Sequence, residues 1–100
     1  MDKNEIINTA NRYLEAVKSL VNVTEAYVFG SRVDNTARED SDIDIALFTD
    51  TLHGDYFNTL TRLFKIRRTI DPLLEPHLFI NGQDQSGFQD EVKKKGIKIV

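Results

Sequence analysis

The chain contains no cysteine. That excludes a disulfide framework and thiolate metal sites, and it leaves the redox compartment open. Long apolar runs are also missing: no stretch approaches the ~20 consecutive apolar residues of a membrane-spanning helix. The first residues, Met1-Asp2-Lys3-Asn4-Glu5, are polar and lead into an amphipathic pattern. They do not form a secretion signal, so the cytoplasm is the expected compartment. A basic surplus is absent as well. The net charge of −3 provides no general field for nucleic acid. No repeat and no low-complexity linker divides the 100 residues, which are expected to form one domain over 1–100.

What is present is alternating periodicity. Residues 4–21 place Ile6, Ile7, Ala10, Tyr13, Leu14, Val17, Leu20 and Val21 at helical spacing. Ala26 to Phe29 reads as a short buried strand stopped by Gly30, and residues 32–41 as a polar loop. Asp42 to Phe48 is a second strand. Ile43, Ile45 and Leu47 share one of its faces, and Asp42, Asp44, Ala46 and Phe48 the other. Helical spacing returns from His53 to Ile70 through Phe57, Leu60, Leu63 and Phe64, with Arg62, Lys65, Arg67 and Arg68 as a solvated face. Asp71-Pro72 ends that helix. Leu73 to Ile80 is a third strand, and Pro76 inside it demands an edge position or a strand end. After Asn81-Gly82, Ser86 to Lys95 can form a helix with Phe88 and Val92 inward, closed by Gly96. Ile97 to Val100 is a candidate final strand. The order implies an α/β (α+β) fold, a short mixed sheet flanked by helices.

Two carboxylates sit where a buried strand would not place them. Residues two apart on a strand point the same way, so Asp42 and Asp44 converge, about 7 Å apart at the backbone. Two close carboxylates repel, and partial burial raises the cost of ionising them. A divalent cation reverses that balance. Mg²⁺ takes hard oxygen ligands, often one or two carboxylates plus substrate phosphates, and an Asp-x-Asp strand suits phosphoryl or nucleotidyl transfer. Ten residues upstream, Gly30-Ser31 offers the complementary half. Glycine permits close backbone approach, and turn amides after a strand form an anion-binding concavity. Ser31 adds a hydroxyl, and Arg32 a planar fork suited to phosphate.

The combination "VFGSR", ten residues, then "SDIDIAL" resembles the signature of the minimal nucleotidyltransferases of the DNA polymerase beta-like nucleotidyltransferase superfamily. The resemblance covers nearly the whole chain. It implies Mg²⁺-dependent transfer of a nucleoside monophosphate, AMP from ATP in the first instance, to an acceptor hydroxyl with release of pyrophosphate. Asp42 and Asp44 match the family's metal-binding pair, and Gly30 and Ser31 its triphosphate-binding turn. Related small proteins pair with a HEPN-domain partner (higher eukaryotes and prokaryotes nucleotide-binding) as toxin–antitoxin systems, and some adenylylate the toxin. The family's third carboxylate has two candidates in "TIDPLLEPHLF", Asp71 and Glu75. Glu75 is favoured because an apolar residue, Leu74, precedes it, whereas Asp71 sits at a helix end where aspartate serves turns.

Other features have plainer readings. Asp40-x-Asp42-x-Asp44 mimics the start of a calcium loop, but Ile45 and Thr51 stand where that loop needs glycine and glutamate. His53 and His77 lack a partner pattern, although His77, two residues past Glu75, can face the same site. Lys93-Lys94-Lys95 suits a helix C-terminus. A domain this small has little room for an acceptor pocket, so a partner protein or a homo-oligomer is expected to complete it. The rival reading is a binding module, an antitoxin or regulatory subunit that neutralises its partner by contact alone.

Overall fold

The structure is a computed structural model that describes residues 2–33, 37–38, 41–83 and 86–100. Helix α1 spans Lys3–Val17, strand β1 Glu25–Phe29 and strand β2 Ile43–Thr49. Helix α2 spans Tyr56–Arg67, strand β3 Leu74–Ile80, helix α3 Phe88–Lys95 and strand β4 Ile97–Lys98. A single 3-10 turn, Gly30–Arg32, follows β1 directly. Residues 34–36 and 39–40 of the expected polar loop, and 84–85 of the loop before α3, lie outside the described residues.

The four strands lie in the order β3-β2-β1-β4. β1 is antiparallel to both β2 and β4, while β2 and β3 are parallel. α2 is the crossover that parallel pairing requires. β3 is an edge strand, as Pro76 demands.

The two faces of β2 go to different places. Ile43, Ile45 and Leu47 are fully buried among Ala26, Val28, Leu74 and Leu78 and the inward residues of α1, including Ala10, Tyr13 and Val17. Leu63 of α2 completes this core. The opposite face carries Asp44, Ala46 and Phe48, and α3 covers only part of it, through Val92 against Tyr27, Ala46 and Phe48. The uncovered remainder holds the carboxylates.

Helix ends follow local chemistry. Asp2 caps α1 by accepting from the Glu5 N–H at 2.8 Å, and Asp55 caps α2 by accepting from Asn58 N–H at 2.8 Å. The second cap starts α2 at Tyr56 rather than at the expected His53. α1 ends at Val17 rather than at residue 21, because the Leu20 and Val21 amides both return to the Val17 carbonyl. Val21 nevertheless stays buried.

Three side chains depart from the sequence pattern. Phe57 is 74% exposed, since α2 turns Leu63 inward instead. Phe88 is 42% exposed, and Gln89 accompanies Val92 inward. Arg67 is not a solvated cation: Nη1 donates to the Leu74 carbonyl at 2.9 Å, and the guanidinium lies over the Phe64 ring. It thereby fixes the start of β3.

Two tyrosines tie the helices to one another and to the sheet. Tyr13 Oη donates to the Leu63 carbonyl at 2.7 Å, and Tyr56 Oη to the Leu78 carbonyl at 2.7 Å. Burial pushes the Tyr13 phenol well above its ordinary range, so it remains a donor at physiological pH. Tyr13→Phe leaves the shape and removes the bond. Urea unfolding is expected to show a loss of about 1 kcal/mol, with an unchanged denaturant slope.

Candidate functional site

The strand register assembles the site. Asp44 stands opposite Phe29 of β1 and opposite Glu75 of β3. Alternation places His77 on the same face of β3 as Glu75. The His77 ring reaches back, with Nε2 3.1 Å from Asp44 Oδ1. One ligand atom from each of Asp44, Glu75 and His77 lies within 4.8 Å of the others. Asp42 is exposed just before β2, and its carboxylate is close enough to Glu75 to perturb its titration.

The 3-10 turn closes over this cluster. Gly30 has φ +81°, in the left-handed region, and a Cβ there would collide with the Asp44 carboxylate. The glycine is therefore needed twice, for its dihedral and for the space. Ser31 follows at the rim of the site, half-buried. Arg32 is buried, and Nη2 donates to the Ser41 carbonyl at 2.8 Å. Its guanidinium thus binds the turn to the residue preceding Asp42.

Asp71 lies elsewhere. Its Oδ1 accepts from the Leu73 N–H at 2.9 Å, a turn bond between α2 and β3. Glu75, not Asp71, is the carboxylate beside Asp44. His77 was accessible to sequence reasoning only through its spacing from Glu75, because nothing in sequence shows that its ring leans toward Asp44.

The electrostatics expose the cost of the cluster. Burial first, then hydrogen bonding and repulsion from Asp44, push the Glu75 carboxyl above its ordinary range. Asp42 adds to the rise, and His77 opposes it. Asp44, Glu75 and His77 bring one ligand atom each within 4.8 Å of the others, and a divalent cation would offset the repulsion that helps to raise the Glu75 carboxyl. This donor set fits a divalent cation, while Asp42, expected to share the site with Asp44, stands exposed just before β2 and outside the group.

Two outcomes follow. Folded protein holds the Glu75 proton to higher pH than unfolded chain, so stability falls as pH rises between the ordinary carboxylate value and the raised one. Without divalent metal, Glu75→Gln is expected to raise Tm by a few degrees at pH 7.5, with the gain vanishing near pH 4. Thermal melts across that range, in chelator, read it out. Gly30→Ala is expected to cost about 1–3 kcal/mol of stability. By displacing Asp44 it also weakens binding of Mn²⁺, as a paramagnetic probe, roughly tenfold or more. Mn²⁺-induced NMR broadening beside a urea titration separates the two effects.

The family model "Polymerase beta, Nucleotidyltransferase" matches residues 4–100. No curated protein matches the chain. Among solved structures, a candidate nucleotidyltransferase from Sulfolobus solfataricus superposes with a TM-score of 0.66 at 22% identity, over 94% of this chain and 78% of that one. A chain of a toxin–antitoxin structure with AMP-PNP gives 0.67 at 21% identity, over 94% and 72%. A chain of a mutant toxin–antitoxin MntA-HpeT structure gives 0.66 at 18% identity, over 90% and 71%. At these identities the structural likenesses establish the fold, while the family match spans nearly the whole sequence, and the chain belongs to the polymerase beta-like nucleotidyltransferase family.

Proposed function

We propose that the protein is a Mg²⁺-dependent nucleotidyltransferase that moves AMP from ATP to an acceptor hydroxyl, in the cytoplasm. The observation that carries this reading is the placement of Glu75 beside Asp44, under a glycine turn that only glycine can make. Asp42, Asp44 and Glu75 hold the metal. Bound Mg²⁺ supplies charge neutralisation for the triphosphate and for the departing pyrophosphate. The amides and hydroxyl of Gly30-Ser31 receive phosphate oxygens. Arg32 contributes positive charge behind that turn while anchoring the segment that leads into Asp42.

The acceptor oxygen attacks the α-phosphorus, and the bond to pyrophosphate breaks. Glu75 orients the acceptor hydroxyl or takes its proton. His77 steadies the Asp44 carboxylate through the 3.1 Å contact. Rate enhancement then comes mainly from positioning and electrostatics.

Similar folds occur in toxin–antitoxin structures, one of them with a nucleotide analogue. They support a toxin partner protein as the source of the acceptor, of the HEPN type that the sequence resemblance implies, with a second copy of this chain as the alternative. The same likeness favours a second reading, in which the chain neutralises its partner by contact without transfer. Phe57, 74% exposed on α2, is apolar surface that contact would use.

Titration with ATP, with and without Mg²⁺, tests the nucleotide site before an acceptor is known. Wild type is expected to bind ATP only with Mg²⁺, shifting the amide signals of Gly30, Ser31 and Asp44. The Asp42→Asn, Asp44→Asn double variant is expected to lose that binding. If the wild type shows none at millimolar ATP, the isolated chain has no working site. If the double variant still neutralises a co-expressed partner at wild-type levels, contact and not transfer is the mechanism.

A further inference from the structure

Beside the carboxylates, four rings form a closed circuit. Phe29 meets His77 at 5.0 Å between centroids, His77 lies parallel to Phe79 at 6.4 Å, Phe79 meets Phe88 at 5.8 Å, and Phe88 returns to Phe29 at 6.0 Å. Phe79 and Phe88 have no part in holding metal or phosphate. Behind Phe29 and Phe88 opens a pocket of about 190 Å³. It is lined by the apolar side chains of Phe29, Val33, Phe88 and Val92, by Gly30, and by Glu91 and Lys95. Phe88 is 42% exposed here, a large apolar ring left partly in water.

We infer that this pocket receives the base of the nucleotide, a purine stacked against Phe88. The inference rests on the nucleotidyltransferase reading above and adds the subsite that reading lacks. Gly30 carries the argument, because one residue both covers Asp44 and lines the pocket. A nucleoside triphosphate has an anionic end and a flat apolar end. The protein presents a phosphate turn and an apolar, aromatic-walled slot sharing one residue. Aromatic stacking suits any base, since every base has a π-face.

The lining also sets the selectivity. Phe29, Val33, Phe88 and Val92 offer no hydrogen bond to a base edge. The polar side chains of the lining, Glu91 and Lys95, pair with each other at 2.8 Å. Among the described lining side chains ring size therefore counts for more than edge pattern: ATP and GTP are expected to bind within a few-fold of one another, and CTP, with its smaller ring, more weakly.

The test titrates wild type and Phe88→Ala with MgATP, MgGTP, MgCTP and Mg-tripolyphosphate, which has phosphates but no base. Phe88→Ala is expected to weaken MgATP about tenfold and to leave tripolyphosphate unchanged. Intermolecular NOEs from the adenine H2 and H8 protons to the Val92 methyls in wild type provide a measurement independent of the variant's folding. If both ligands bind, Phe88→Ala leaves MgATP unaffected and no NOE reaches Val92, the base lies elsewhere and the nucleotidyltransferase reading stands. A strong preference of ATP over GTP overturns the selectivity. If neither MgATP nor tripolyphosphate binds wild type, the nucleotide site itself falls, and this pocket with it.

Discussion

The Asp44 carboxylate occupies the volume that a side chain at residue 30 would fill. That single close approach governs the arrangement around it. It requires glycine with positive φ at the end of β1, and so it dictates the 3-10 turn that follows. It requires β1 and β2 to be antiparallel neighbours in the register that sets Phe29 against Asp44. The parallel pairing of β3 on the other side then brings Glu75 level with the same carboxylate. A slip of one residue in either pairing would reverse every side chain's face and disperse the cluster.

Such a cluster works against the fold that carries it. Glu75 holds its proton harder than an isolated glutamate because burial, and then the neighbouring Asp44 carboxylate, make ionising it unfavourable. The opposite face of the same strand compensates. Ile43, Ile45 and Leu47 are completely buried, and each side chain of that kind contributes roughly 1.5–3 kcal/mol on leaving water. Tyr13 and Tyr56 add directional bonds that hold α1 and α2 in place over this core. One strand thus separates stability from chemistry: apolar residues below, carboxylates above, with alternation keeping them apart.

Much of this was legible before any coordinates. The element order, with the last strand as a candidate, and the division of β2 into two faces follow from local periodicity, and Pro76 narrows its strand to an edge position or a strand end, of which the sheet order gives the edge. Gly30, Asp42 and Asp44 stood out because buried strands rarely carry paired carboxylates after a glycine turn. Other residues were ambiguous for a common reason: their roles depend on partners distant in sequence. Phe57 and Phe88 fit the helical spacing, yet the faces that α2 and α3 turn to the core leave Phe57 exposed and Phe88 partly so. Arg67 looked like one cation among several on a helix face, until its reach to the Leu74 carbonyl showed it pinning a strand. Arg32 read as a phosphate fork, and the structure shows it also gripping Ser41.

The choice between Asp71 and Glu75 shows where the division falls. Both are acids within five residues, and sequence offers only the turn habit of aspartate and the apolar neighbour of Glu75 to separate them. Register separates them outright, because Glu75 lies across from Asp44 while Asp71 is bound to the Leu73 amide. His77 is the same case, since its ring meets Asp44 across 33 residues of chain. The sequence by itself determined the elements and the division of β2 into an apolar face and one bearing Asp44, because periods of two and of 3.6 are local properties of the backbone. The tertiary structure alone decided which acid joins Asp44, which aromatic rings close beside it and which cations become structural. Those outcomes depend on strand pairing and helix tilt, which bring distant parts of the chain together.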